Sequence, residues 1–347
     1  MTINQPPIQS TPVGAFRFNT DSSKMEYYDG NQWVNISSTS PEAQTGGTRG
    51  IFAGGYSTGS TNNDEIEYVN IETTGNSIDF GTLSGDVRSN NGLASRTRGL
   101  SFGGQNPGFV NTIEYITISS TGDATNFGDI GAMSTGGWAT GISNGTRGVL
   151  AGMYINGASP VMQNNIDYLA IAQLGNSIDF GDLTQGRAGG VGTVASPTRG
   201  IWAGGDTPSD VNTIDYITTS TLGNAADFGD LTLARNQLGG ASNAVRGIFA
   251  GGYNNPGTST DNNIMEYITM ASLGNGADFG DLNYVTSGTR GSASPTRAIF
   301  VRWDVGVATN NIDYIQIMTT GNAVDFGDQD PGLAIGANFS NGHGGLG

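Results

Sequence analysis

The sequence predicts an all-β fold built from six copies of one unit, and three observations carry that prediction. The phrase "TRGIFAGGY" at 48–56 returns as "VRGIFAGGY" at 245–253, with four looser versions elsewhere. Its arginines, Arg49, Arg98, Arg147, Arg199, Arg246 and Arg297, are spaced by 49, 49, 52, 47 and 51 residues. Two further phrases, of which "NTIDYITT" and "GNAADFGDL" are examples, recur at the same pitch. Self-similarity at a fixed period near fifty residues marks a repeat architecture. No stretch carries the apolar spacing of a helix.

The elements follow in chain order. Residues 1–36 contain "GAFRFN", "KMEYYD" and "QWVNI", three short strands with "DG" at 29–30 as a hairpin turn. So short a meander buries too little apolar surface to be stable alone. Phe16, Phe18, Tyr27 and Trp33 are therefore the candidate anchoring residues, facing a sister subunit, another protein or the repeats themselves. Residues 37–47, "SSTSPEAQTGG", read as a linker. From 48 to 347 each repeat offers four strands, such as "RNQLGGASN", "RGIFAGG", "NIDYITI"-like and "NAADFGD", rich in β-branched and aromatic residues between Gly, Asn and Thr turns. The first repeat lacks its opening strand, and "GLAIGANFSNG" at 332–342 supplies it from the other end of the chain. Four short antiparallel strands repeated six times predict a six-bladed β-propeller closed by the C-terminal strand. Six symmetric glycine pairs fit backbone geometry better than a phosphate loop, which would need a helix after it.

Composition narrows the function. The 347 residues carry 30 acids against 14 bases, a net charge of −16 that disfavours nucleic acid and anionic membranes as partners. With no cysteine, disulfides and thiolate chemistry are excluded, and a single histidine, His343, excludes a His-rich metal cluster. No cofactor and no metal are expected. The opening "MTINQPPIQSTPVGA" lacks the basic and apolar regions of a signal peptide, so synthesis in the cytoplasm without a leader is expected.

The unit resembles a kelch repeat, with an arginine opening the first strand (Arg88, Arg187, Arg235, Arg290) and a hydrophobic strand ending in Gly-Gly. Kelch units carry a late Trp where this chain has the Phe of "FGD", so the likeness is kelch-like. The wording "NTIDYITT…GNAADFGDL" and the ending "SNGHGGLG" resemble structural proteins of marine tailed phages, including those of cyanobacteria. Residues 14–36 are similar to a short module of phage tail-fibre and virion-surface proteins. The resemblance implies a virion structural protein: a surface-exposed fibre, knob or decoration, a homo-oligomer joined to other virion proteins through the N-terminal module. It implies a non-enzymatic adhesin touching a host-surface glycan; a passive capsid or tail decoration is the alternative.

Just beyond the Gly-Gly position stand Tyr56, Gln105, Tyr154, Asp206, Tyr253 and Asp304, with Trp303 and Asn254 adjacent. Rings beside Asn and Asp stack on sugars and bond their hydroxyls, making Tyr56, Tyr154, Tyr253, Trp303, Asp206 and Asn254 the candidate receptor-binding set. Long polar loops tolerated at a surface are the competing reading. The "FGD" acids are expected to pair with the opening arginines, Asp182 with Arg187 and Asp230 with Arg235. The "I[DE]Y" acids and "TRG" arginines are expected to bond within their own repeat. An enzyme is the remote reading: propeller oxidases resemble the layout but need His and Cys, sialidase Asp boxes are absent, and a glycosidase carboxylate pair is not discernible.

Overall fold

The computed structural model describes residues 11–19, 24–35, 48–57, 61–131, 136–155, 161–188, 190–254, 260–303, 310–330, 332–333 and 335–342. The chain divides into two compact units, Met1–Gln44 and Thr45–Gly347. Every regular element among the described residues is a strand. The predicted linker and His343 lie outside those residues.

The N-terminal unit is a three-stranded antiparallel sheet of Phe16–Asn19, Lys24–Tyr28 and Trp33–Asn35. Register places Phe16 opposite Tyr27 and Phe18 opposite Met25. Strand alternation then sends Phe16, Phe18, Met25 and Tyr27 to one face. That face is open: Phe16 is 68% and Phe18 58% exposed. Trp33 lies on the other face, under the Arg17 guanidinium (4.2 Å to the ring centre) and beside Tyr28. The four predicted anchoring residues are therefore divided between the two faces of the sheet. Trp33 packs within its own sheet, and three rings are left facing out.

The larger unit contains six antiparallel sheets of the four-stranded pattern among the described residues. Sheet 1 joins Ala337–Ser340, from the far end of the chain, to Arg49–Ser57, Thr61–Asn70 and Ile78–Val87. The C-terminal pairing is the one the sequence predicts, with Ala337 opposite Ala53 and Ser340 opposite Gly50. Sheet 2 is Asn91–Ala94, Arg98–Phe102, Thr112–Thr117 and Thr125–Asp129. Sheet 3 is Thr140–Ser143, Arg147–Ile155, Val161–Ala170 and Ile178–Asp182. Sheet 4 is Gly192–Ala195, Arg199–Ala203, Thr213–Thr218 and Ala226–Asp230. Sheet 5 is Gly239–Ser242, Arg246–Ala250, Thr260–Thr269 and Ala277–Thr286. Sheet 6 is Gly288–Ala293, Arg297–Trp303, Asn311–Gln316 and Val324–Asp328.

The core lies between sheets. Each of six apolar clusters draws on two successive sheets; Phe127 and Leu100 of sheet 2 pack with Leu150 and Leu169 of sheet 3, for example. The cluster of Phe52 and Ile71 with Ile299 and Phe326 joins sheet 6 to sheet 1. In every sheet the "I[DE]Y" tyrosine meets the "FGD" phenylalanine edge-on, at 5.9 to 6.2 Å between centroids.

The "TRG" arginines work between sheets, which corrects the expectation that they bond within their own repeat. The "I[DE]Y" acids keep bonds inside the repeat, as Glu67 accepts from Ser77 and Asp167 from Ser177. Each "TRG" guanidinium lies over the tyrosine of its own sheet, 4.2 to 4.9 Å from the ring centre. Its Nη1 then donates to a main-chain carbonyl of the following sheet: Arg49 to Ile118, Arg98 to Ile171, Arg147 to Thr219, Arg199 to Met270 and Arg246 to Ile317. Arg297 of sheet 6 donates to Ile71 of sheet 1. The "FGD" strand makes a second link, because the Gly122 N–H donates to the Phe80 carbonyl and Gly75 to Phe326, with four equivalents between. Here glycine is required: the "FGD" glycines sit at a bulge with φ of +138° to +154°. A Cβ on Gly229 would come 2.5 Å from the Gly274 carbonyl oxygen of the next sheet.

Candidate functional site

The opening arginines correct a second expectation. The Arg187 Nη2 donates to Asp215 at 2.8 Å, with both side chains fully buried, and the Arg235 Nη2 donates to Glu266 at 2.7 Å. Their partners are "I[DE]Y" acids of the sheet the arginine opens, and Asp182 and Asp230 are not involved. The reason is position: each guanidinium enters between the second and third strands, where the Gly204 and Thr213 carbonyls also accept from Arg187. Burial pulls both guanidinium pKa values down and the paired carboxylates pull them back up. The "FGD" aspartates instead use their backbone N–H groups, which donate to the Asn of the next "GN" turn, as Asp230 does to Asn275 at 3.1 Å.

Glu67, the equivalent acid in sheet 1, has no arginine beside it. Burial pushes its pKa from 4.5 up to about 7; the Ser77 hydroxyl donates to it at 2.8 Å and opposes the rise, and the Glu65 charge adds to it. Asp330 acts both ways, its backbone N–H lowering the value and its charge raising it. A folded-state pKa above the unfolded one means stability that is full below pH 4.5 and lost as pH rises through 7. Glu67→Gln should therefore flatten the pH dependence of urea stability between pH 4.5 and 8. It should gain up to roughly 3 kcal/mol at the upper end. Unchanged pH dependence in the variant would show that Glu67 does not titrate with folding.

The residues beyond the Gly-Gly position occupy separate stations, each held by a neighbour. The Tyr56 hydroxyl accepts from Arg88 Nη1 at 2.6 Å, and that guanidinium also bonds Gln105. Asp206 bridges to Ala188 and Asp210; its pKa is raised by burial and then by Asp210. Asn236 links this station to the next, donating to Asp210 at 2.6 Å and bridging to Tyr253. Asn254 pairs with Thr260. Trp303 pairs by its backbone with Gly288, and Asp304 lies outside the described residues.

Tyr154 is in the most developed of these stations. Trp138 stacks on it at 6.1 Å and 29° between planes, and Phe109 meets it edge-on at 5.9 Å. The three rings come from two sheets. Phe109 sits on a hairpin of Gln105–Asn106 and Gly108–Phe109, and Trp138 leads into the first strand of sheet 3. Trp138 holds φ at +66° and is 38% exposed, so an unfavourable backbone is retained where an indole stays open to solvent. The sequence expectation included Tyr154 and missed Trp138 and Phe109. The signal was present as a lone Trp in "GGWATG", where the other first strands have none.

Among the described residues no group of three His, Asp or Glu side chains is arranged to hold a metal ion. No helix there is long and apolar enough to cross a membrane. No protein-family model matches the chain, and no curated protein matches it significantly.

Proposed function

We propose that the six sheets are the blades of a closed, kelch-like six-bladed β-propeller within a tailed-phage virion protein, exposed on the particle and contacting a host-surface glycan without catalysis. The propeller reading is supported by the order of inter-sheet bonds, which runs from sheet 1 to 6 and back through Arg297 and Ile71. The virion reading is supported by the repeat wording and the tail-fibre-like N-terminal module. The open face of Phe16, Phe18, Met25 and Tyr27 would join other virion proteins or sister subunits.

The single observation that carries the adhesin role is the Phe109, Trp138 and Tyr154 cluster, because an exposed indole backed by a stacked tyrosine matches the apolar face of a pyranose. The second reading, a passive capsid or tail decoration, is favoured by the open N-terminal face alone. A glycan array probed with the full chain separates them. Saturable binding should fall about tenfold in a Trp138→Ala, Tyr154→Ala double variant whose melting temperature is kept, since two ring contacts of about 0.5–1.5 kcal/mol are lost. No glycan binding by a chain that still assembles into particles would leave the passive role.

A further inference from the structure

The buried arginine slot of sheets 4 and 5 is repeated in sheet 2 without its arginine. In sheet 4 the Arg187 guanidinium donates to the carbonyls of Trp202, Gly204 and Thr213 and to the Asp215 carboxylate. In sheet 5 Arg235 donates to the Gly251 and Ile264 carbonyls and to Glu266. Strand register makes Ser101, Gly103, Thr112 and Glu114 the counterparts in sheet 2, since Ile113 faces Phe102 as Ile214 faces Ala203. Those four residues line a cavity of about 120 Å³. Its outer wall includes Asp86, a second carboxylate, and the exposed residues Ser84 and Asn106.

One inserted residue explains the missing cation. Arg187 and Arg235 stand five positions after Asp182 and Asp230, in "DLTQGR" and "DLTLAR". The segment entering sheet 2 reads "TLSGDVR", which puts Val87 in the arginine's place and moves Arg88 one residue on. A shift of one along an extended chain turns a side chain to the opposite side. Val87 accordingly faces the core and is 8% exposed, while Arg88 turns away to Tyr56 and Gln105. The slot keeps its acceptors and its carboxylate, and an apolar side chain too short to reach them replaces the donor.

We infer that this cavity between sheets 1 and 2 is a receptor site for a guanidinium group, brought by a small guanidinium compound or by an arginine side chain of a partner. The ligand's planar N–H fork would meet the Gly103 and Thr112 carbonyls and the Glu114 carboxylate as Arg235 meets theirs. The inference stands apart from the virion and glycan readings, because it uses only the comparison of three sheets.

The test is calorimetric titration of the full chain with methylguanidinium, with methylammonium as control, and a crystal structure after a methylguanidinium soak. Expected are one-to-one uptake, density donating to Gly103, Thr112 and Glu114, and at least tenfold weaker binding in Glu114→Gln. Val87→Arg should fill the slot covalently, abolish uptake and raise the melting temperature; should that variant not fold, Glu114→Gln carries the test. Uptake of an arginine-containing tetrapeptide but not of free methylguanidinium would assign the site to a partner's side chain. Failure of both probes to bind, or binding that survives Val87→Arg, overturns the inference.

Discussion

A chain ending at residue 331 should fail to fold its repeat unit, giving aggregated or strongly destabilised protein by size-exclusion chromatography and urea unfolding. The missing strand, Ala337–Ser340, reaches three sheets at once. It pairs with Arg49–Ser57 in sheet 1, its Ser340 hydroxyl donates to the Ala293 carbonyl of sheet 6, and Phe339 enters the cluster shared with sheet 2. Phe339 fills space that two glycines leave for it: a Cβ on Gly99 would come 2.0 Å from its ring and one on Gly92 2.3 Å. Phe339→Ala alone should cost about 3–5 kcal/mol, the range for emptying a buried aromatic site. Adding a peptide of residues 332–347 to the shortened chain should restore the native near-ultraviolet signal. A truncated chain that unfolds like the full one would remove the C-terminal strand from the account.

The buried Arg187–Asp215 pair carries the second large effect. Asp215→Asn leaves a fully enclosed guanidinium without its counter-charge and should destabilise by about 3–5 kcal/mol. The loss should exceed that of the double change Arg187→Met with Asp215→Leu, which removes both charges and refills the volume. Chemical denaturation of the three proteins, the unaltered chain included, gives the comparison directly. A double variant that unfolds more easily than Asp215→Asn would mean that the carbonyl contacts to Gly204 and Thr213, rather than the ion pair, hold the arginine in place.

Much of the fold was readable because strands and turns are written locally. The alternation in "RGIFA" and "TIDYIT" and the glycine at each "FGD" bulge needed no knowledge of neighbours, and the terminal "GANFS" could be placed by alignment alone. The polar partners could not be read that way. Which acid meets Arg187 depends on which two strands its side chain enters, and the carbonyl met by Arg49 belongs to a sheet about seventy residues on. At the candidate site, Tyr154 was visible from its place after the glycine position. Its contacts with Trp138 and Phe109 depend on how two connections fold over each other. That Trp33 faces away from Phe16, Phe18 and Tyr27 was not readable, because a three-residue strand gives too short an alternation to assign its face.

The bonds from each "GN" turn to the preceding "FGD" strand have a consequence for how copies of this protein behave together. The outermost strand of a sheet ordinarily offers a row of free N–H and C=O groups to which a foreign strand can add. Here carbonyls along that border are already taken: those of Phe80 and Thr82 accept from Gly122 and Ala124, and those of Phe326 and Asp328 from Gly75 and Ser77. Lateral zippering of one copy onto another is thereby obstructed along this border of the six sheets of the larger unit. The "FGD" border, which would otherwise invite a foreign strand, is thus taken up by bonds between neighbouring sheets.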